Sequence, residues 1–192
     1  MSADLKVPVV QPRSWYKIGK AAEKLIRLSC PELLENPGPF PLADFIEFKM
    51  NEIMKFGYEI SELPEGIEAA MEPEHRRIIL SPETYEDLIN EVPRARFTAA
   101  HEIGHAWLHS TELRHRILDG GNVLKLNRGS IPPYRDPECQ ANAFASAFLM
   151  PTCHVEELIT MPRPQINVMQ TFNVSLEAAG YRIKGLDKYR NG

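Results

Sequence analysis

The chain has 192 residues, enough for one domain with a small helical appendage and for a core without disulfide support. Hydrophobic residues make up 43% and charged residues 25%, which excludes collagen-like, coiled-coil and wholly disordered chains. A net charge of −4 argues against a basic face for nucleic acid or acidic membrane, and no apolar run is long enough to span a bilayer.

Residues 1–13 carry two prolines and little periodicity, and are expected to form a flexible arm. They lack a basic stretch followed by an apolar one, so no signal peptide is expected. Ser14 is placed to cap a helix whose face is Trp15, Ile18, Ala22, Leu25 and Ile26, with Pro31 as its end. Leu42, Phe45, Ile46, Met50 and Ile53 predict a second amphipathic helix closed by Gly57. The period then changes to alternation at Tyr58 and Ile60, and at Ile67, Ala69 and Met71, followed by the β-branched run Arg77 to Leu80. These predict a small antiparallel sheet of about three strands. Ser81-Pro82 opens a short helix, and Phe97, Ala100, Gly104, Trp107 and Leu108 line a longer one, roughly 94–110. Residues 111–135 hold three glycines and two prolines and read as a long connection, a candidate flap. Asp136-Pro137 opens a helix over 137–150, and shorter helical patterns follow to the end. The whole reads as an α+β fold, with helices around the small sheet. A main domain over 14–151 carries the site, and a helical segment over 152–192 resembles a helix-turn-helix. That segment has few basic residues, so packing or partner docking suits it better than DNA.

His101-Glu102-Ile103-Gly104-His105 is an HExxH motif on the predicted long helix. Imidazoles four residues apart share a helix face and can meet one tetrahedral Zn²⁺ at about 2.0–2.1 Å. Glu102, about 100° round the helix, can reach a water activated there without ligating the metal, and act as general base. A catalytic zinc takes three protein ligands. Leu108 and Thr111 stand where a longer HExxHxxGxxH motif needs Gly and His, which closes that route. His109 is about 12 Å of rise from His101 and cannot join it. It reads as a cation steadying the helix C-terminus, or as a hydrogen-bonding group near the cleft. A carboxylate from a later helix remains, and Glu138 opens the next one, where the helix dipole alone would also favour it. Asn142, one turn on, could orient a ligand.

Other candidates are weaker. Tyr134, Arg128 and Arg135 precede Glu138 and could stabilise an oxyanion, though a solvated loop explains them as well. Cys139, Cys153 and His154 fit no structural zinc spacing, and Cys139 reads as a small core residue. With Cys30, the three cysteines are an odd, sparse set that points to a reducing, cytoplasmic setting.

The run Arg96-Phe97-Thr98-Ala99-Ala100-His101-Glu102-Ile103-Gly104-His105, followed by Glu138-Cys139-Gln140-Ala141-Asn142-Ala143-Phe144-Ala145 and Leu149-Met150-Pro151, resembles the ImmA/IrrE family of zinc metallopeptidases. Phe172-Asn173-Val174-Ser175 and Tyr181-Arg182-Ile183 resemble that family's tail, so the likeness spans about 96–186. Phe148 in place of Leu and Gly180 inside the last helix are its departures. The resemblance implies a gluzincin-like site with His101, His105 and Glu138 as ligands and Glu102 as base. It also implies a protein partner as substrate, a helix-turn-helix repressor of a phage, mobile element or stress regulon. The expectation is a zinc-dependent endopeptidase making limited cuts, with Mn²⁺ or Fe²⁺ as other ions such a site accepts. The rival is a metal-stabilised module that acts on its partner by binding alone. Glu102 favours the enzyme, since a structural zinc site would not need it. Substrate access is expected along an exposed sheet edge near Ile78 to Leu80.

Overall fold

The computed structural model describes residues 6–118, 125–127 and 131–190. Helix α1 (Trp15–Ser29) starts where the Ser14 hydroxyl accepts from the Lys17 amide, and it buries Ile18, Ala22, Leu25 and Ile26. Leu42–Asp44 (α2), a π-helical stretch Phe45–Lys49 and Met50–Met54 (α3) run on as one rod. Lys55, in the left-handed region at φ 56°, ends it in place of Gly57. The Arg76 guanidinium donates to the Met54 and Lys55 carbonyls, so a side chain satisfies the helix end that a glycine turn would otherwise close.

Strands β2 (Gly57–Ile60), β3 (Ala69–Glu72) and β4 (Arg77–Leu80) form a sheet in the order β2-β4-β3. The sheet is mixed, which corrects the antiparallel expectation. β3 pairs antiparallel with β4 through Met71↔Ile78, and β2 pairs parallel with β4 through Tyr58↔Ile78. The cause is the excursion 61–68, which carries the chain past β2's neighbour position so that β4 returns beside it in the same direction. Ile78 to Leu80 is therefore the sheet centre, with Ile78 and Leu80 fully buried, and the free edges belong to β2 and β3. Tyr58 and Ile60 alternate as expected but face solvent. Alternation fixes a strand's period and not which face is buried.

Helix α4 (Pro82–Ile89) is capped by Ser81 and leads into α5 (Pro93–Leu118). α5 runs about two turns past its expected end, so 111–118 is helix rather than connection. The expected flap is described only in part, because 119–124 and 128–130, with Arg128, lie outside the described residues.

The arm, in its described residues 6–13, is the second correction. β1 (Lys6–Pro8) pairs antiparallel with β5 (Lys125–Asn127), and Val9 and Val10 are buried. The Val10 amide donates to Arg135 O at 3.1 Å and the Arg13 amide to Tyr134 O at 3.0 Å. A three-residue strand whose partner lies far along the chain leaves no local periodicity to read.

Helix α6 (Pro137–Leu149) is followed by α7 (Thr152–Leu158), α8 (Pro164–Phe172), α9 (Leu176–Lys184) and α10 (Asp187–Arg190). α5 lies between the sheet and α6, and α1 also packs on α6. Val155, Val168, Phe172 and Ala179 share one core with Ile18, Phe45, Ile103 and Phe148, so the core continues across residue 151. Buried Arg182 ties the two parts together. Its Nε donates to Met150 O at 3.0 Å, its Nη2 to Thr152 Oγ1 at 2.9 Å, and its guanidinium stacks on Tyr189. It thereby caps the C-terminal end of α6 at Met150-Pro151. Among the described residues, no helix is long and apolar enough to cross a membrane.

Candidate metal centre

Two helix segments build the site. α5 carries His101, Glu102 and His105, and the first turn of α6 carries Glu138. The helices meet at Gly104, where an added Cβ would lie 3.2 Å from Ala141 O and 3.3 Å from its Cα. That approach brings a carboxylate on α6 within reach of imidazoles on α5. Asp136 fixes the start of α6 by accepting from the Glu138 amide at 2.9 Å.

The donor atoms converge. His101 Nε2 and His105 Nε2 are 3.0 Å apart, and Glu138 oxygens lie 3.4 Å from the first and 3.3 Å from the second. Ligand atoms at about 2.0–2.1 Å from a tetrahedral ion are separated by about 3.3 Å, so the set fits one ion. Each imidazole's far nitrogen is also engaged. His101 Nδ1 lies 2.9 Å from Asn142 Oδ1, which accepts, leaving the Nε2 lone pair free to face the centre. His105 Nδ1 lies 3.2 Å from His109 Nδ1. Among the described residues these three are the one His, Cys, Asp and Glu group with metal-holding geometry. Cys139, Cys153 and His154 are not brought together, and His154 Nε2 instead donates to Leu33 O.

The electrostatics separate the two carboxylates. The His101 and His105 hydrogen bonds hold Glu138 well below the usual carboxylate range. Burial raises Glu102, against the opposing pull of His105 and His101. Burial disfavours a charged His101, but the Glu138 hydrogen bond and the nearby carboxylates outweigh it and leave its pKa raised. A cavity of about 270 Å³ opens over these groups, lined also by Met71, Pro73, Leu113 and Pro137. A wider groove of about 850 Å³ begins beside Asn142 and Thr98 and is walled by Trp15, Phe97 and Tyr181.

His109 corrects its expectation as a helix-terminal cation. α5 continues to Leu118, and His109 is fully buried, with burial pushing its pKa down to about 3. It is a neutral ring packed behind His105. Tyr134 is half-exposed and absent from the cavity lining; its backbone carbonyl is what the structure uses. Arg135 is exposed. Gln140 and Arg13 were missed. Gln140 is fully buried and accepts from His109 Nε2 at 3.1 Å and from Arg13 Nη1 at 3.3 Å. The local signal for Gln140 is a polar residue on the apolar face of α6; Arg13 has none.

Comparison with known proteins places the chain in a family. The sequence pattern of Peptidase_M78, described as the IrrE N-terminal-like domain, matches residues 72–184. No curated protein sequence matches the chain significantly. Among solved structures, a Mycobacterium tuberculosis transcriptional regulator superposes with a TM-score of 0.55 at 15% identity, over 87% of this chain and 46% of that one. At that identity the likeness is one of fold, and this chain spans less than half the length of that neighbour. The matched pattern covers more than half of the sequence and contains every residue of the converging set: the chain belongs to the Peptidase_M78 family, as an IrrE N-terminal-like domain.

Proposed function

We propose that the chain is a metal-dependent endopeptidase that makes limited cuts in a protein partner, with a helix-turn-helix transcriptional repressor as that partner. The observation that carries this is the convergence of His101, His105 and Glu138 on one point, beside a Glu102 carboxylate that ligates nothing. His101, His105 and Glu138 would hold the ion, with Zn²⁺ first and Mn²⁺ or Fe²⁺ as other occupants. A bound ion supplies Lewis acidity and a nucleophile at neutral pH. Glu102 takes the proton of the attacking water and delivers it to the leaving amine. Burial raises the Glu102 pKa, which makes its carboxylate the stronger base.

An extended segment of the partner lies along the free edge of β3, Ala69–Glu72, in place of the edge expected at Ile78 to Leu80. β3 follows α5, from Glu68 hydrogen-bonded by Thr98 to Pro73 in the cavity, so this path crosses the metal centre. The setting proposed is the cytoplasm.

The test uses the full chain with Zn²⁺ or Mn²⁺, casein, and a helix-turn-helix repressor from the same genome. One cut in the repressor, absent with Glu102→Gln although metal is retained, is the expected result. Cleavage at the wild-type rate by Glu102→Gln overturns the mechanism. Repressor inactivation by both proteins without cleavage assigns the chain to action by binding.

A further inference from the structure

The metal centre proposed above has a second layer of control, and it begins in the backbone. Gln140 is fully buried, and its Nε2 lies 2.9 Å from Gln11 O and 2.8 Å from Tyr134 O. Carbonyl oxygens only accept, so both hydrogens of the amide nitrogen are committed to them. The Gln140 Oε1 therefore faces the other way, toward Arg13 Nη1 at 3.3 Å and His109 Nε2 at 3.1 Å. An amide oxygen only accepts, so His109 Nε2 carries hydrogen. A second cation on the oxygen that already receives the Arg13 guanidinium would be buried beside a like charge, so His109 is the neutral ring with a single N–H. Its Nδ1 is then a bare lone pair, 3.2 Å from His105 Nδ1. Only one arrangement makes that contact a hydrogen bond: His105 Nδ1–H donates, and its Nε2 lone pair is left for the ion.

We propose that the Gln11 and Tyr134 carbonyls, acting through Gln140 and His109, fix the tautomer of His105, and that His109 is a positioning residue of the metal centre. The inference rests on the metal-centre reading and deepens it. The two histidine ligands are then held differently. His101 is oriented by one amide, Asn142, on the helix that carries Glu138. His105 is oriented by a relay that reaches the N-terminal segment. That segment is strapped to α5 on both sides of His109, by Arg13 Nη2 donating to Leu108 O at 2.8 Å and the Gln11 amide donating to Glu112 at 3.2 Å. Residues 9–13 thereby belong to the metal centre although none of them touches the ion.

The tautomer is read directly by ¹⁵N NMR of the imidazole rings in the full-length protein, metal-free and with Zn²⁺. The expected spectrum shows His109 protonated at Nε2 and bare at Nδ1; the opposite tautomer overturns the proposal. Its consequence is read by Co²⁺ affinity, in competition with a chromophoric chelator, and by the Co²⁺ absorption bands. His109→Leu removes the acceptor and is expected to weaken Co²⁺ binding about 10–100-fold and alter the bands. His109→Gln, whose side-chain oxygen can accept from His105 Nδ1, is expected to recover most of the affinity. Wild-type affinity in His109→Leu, or equal losses in the Leu and Gln variants, overturns the proposal. If His109→Leu does not fold, Gln140→Leu is read by the same two measurements, and the same weakening is expected. Failure of the wild type to take up Co²⁺ at all defeats the metal-centre reading itself, whereas normal uptake with insensitive variants defeats the relay alone.

Discussion

Gly104 and Ala141 meet backbone to backbone, with little room for a methyl group: a Cβ on Gly104 would lie 3.3 Å from the Ala141 Cα and 3.1 Å from the Phe144 ring. The glycine inside HExGH is thus a spacing element between the helix with two imidazoles and the helix with Glu138. Helix propensity favours alanine at this position by about 1 kcal/mol, while a clash against a backbone that cannot rotate away costs about 1–3 kcal/mol. Gly104→Ala is therefore expected to leave the melting temperature of the metal-free protein little changed or slightly lowered. Metal affinity should fall at least tenfold, because α6 moves outward with Glu138. Chelator competition checks this, and unchanged affinity would show that the close approach does not set ligand spacing.

Asp136 and Glu138 are neighbours with separate tasks. Asp136 caps α6, and Glu138 faces the two histidines. Asp136→Ala is expected to cost about 1 kcal/mol of stability and to keep one ion per chain. Glu138→Ala should lose the ion with little change in the melting of the metal-free protein. Elemental analysis and thermal melts of the two variants distinguish them.

The buried His109 makes a pH prediction with a definite sign. Its folded pKa is near 3 against an ordinary 6.5, so between these values the unfolded chain takes up a proton that the native ring refuses. Stability is therefore lost as pH falls below about 6.5, at no more than about 1.4 kcal/mol per pH unit from this group. His109→Gln should flatten that loss. The difference between the urea midpoints of the two metal-free proteins, followed from pH 7 to about pH 5, reports His109, since His101 and Glu102, both with raised pKa, are present in each.

Arg182 tests whether a motif residue serves packing rather than chemistry. Its guanidinium satisfies Met150 O and Thr152 at the end of α6, with the charge taken up by the Tyr189 ring. Arg182→Met leaves the Met150 carbonyl without its side-chain donor and is expected to cost about 1–3 kcal/mol. Metal content should stay at one ion per chain. Loss of metal in a folded Arg182→Met protein would place this residue in the site's own support.

What was legible in the sequence followed from short-range rules. Ser14, Ser81 and Asp136 announce their helices because a cap acts within one turn, and HExxH announces its face because i, i+4 is local. What was not legible came from pairings across the chain. The parallel β2–β4 pairing depends on where 61–68 places the next strand, and nothing in Gly57–Ile60 encodes it. His109 looked like a helix-end cation because α5 was expected to stop beside it, and two further turns change its surroundings from solvent to core. Arg13 showed nothing at all, since its partners Leu108 and Gln140 are set by the fold.

The hydrogen bond from Gln140 to Gln11 spans 129 positions of the chain, and β1 finds its partner strand only at Lys125–Asn127. The segment around Gln11 can dock only after the chain as far as Gln140 is present. Contacts of such long range close late and slow the folding of the unit that depends on them. The histidine pair on α5 is made before the Gln140 that supports it, so the order of synthesis separates His101 and His105 from their supporting network.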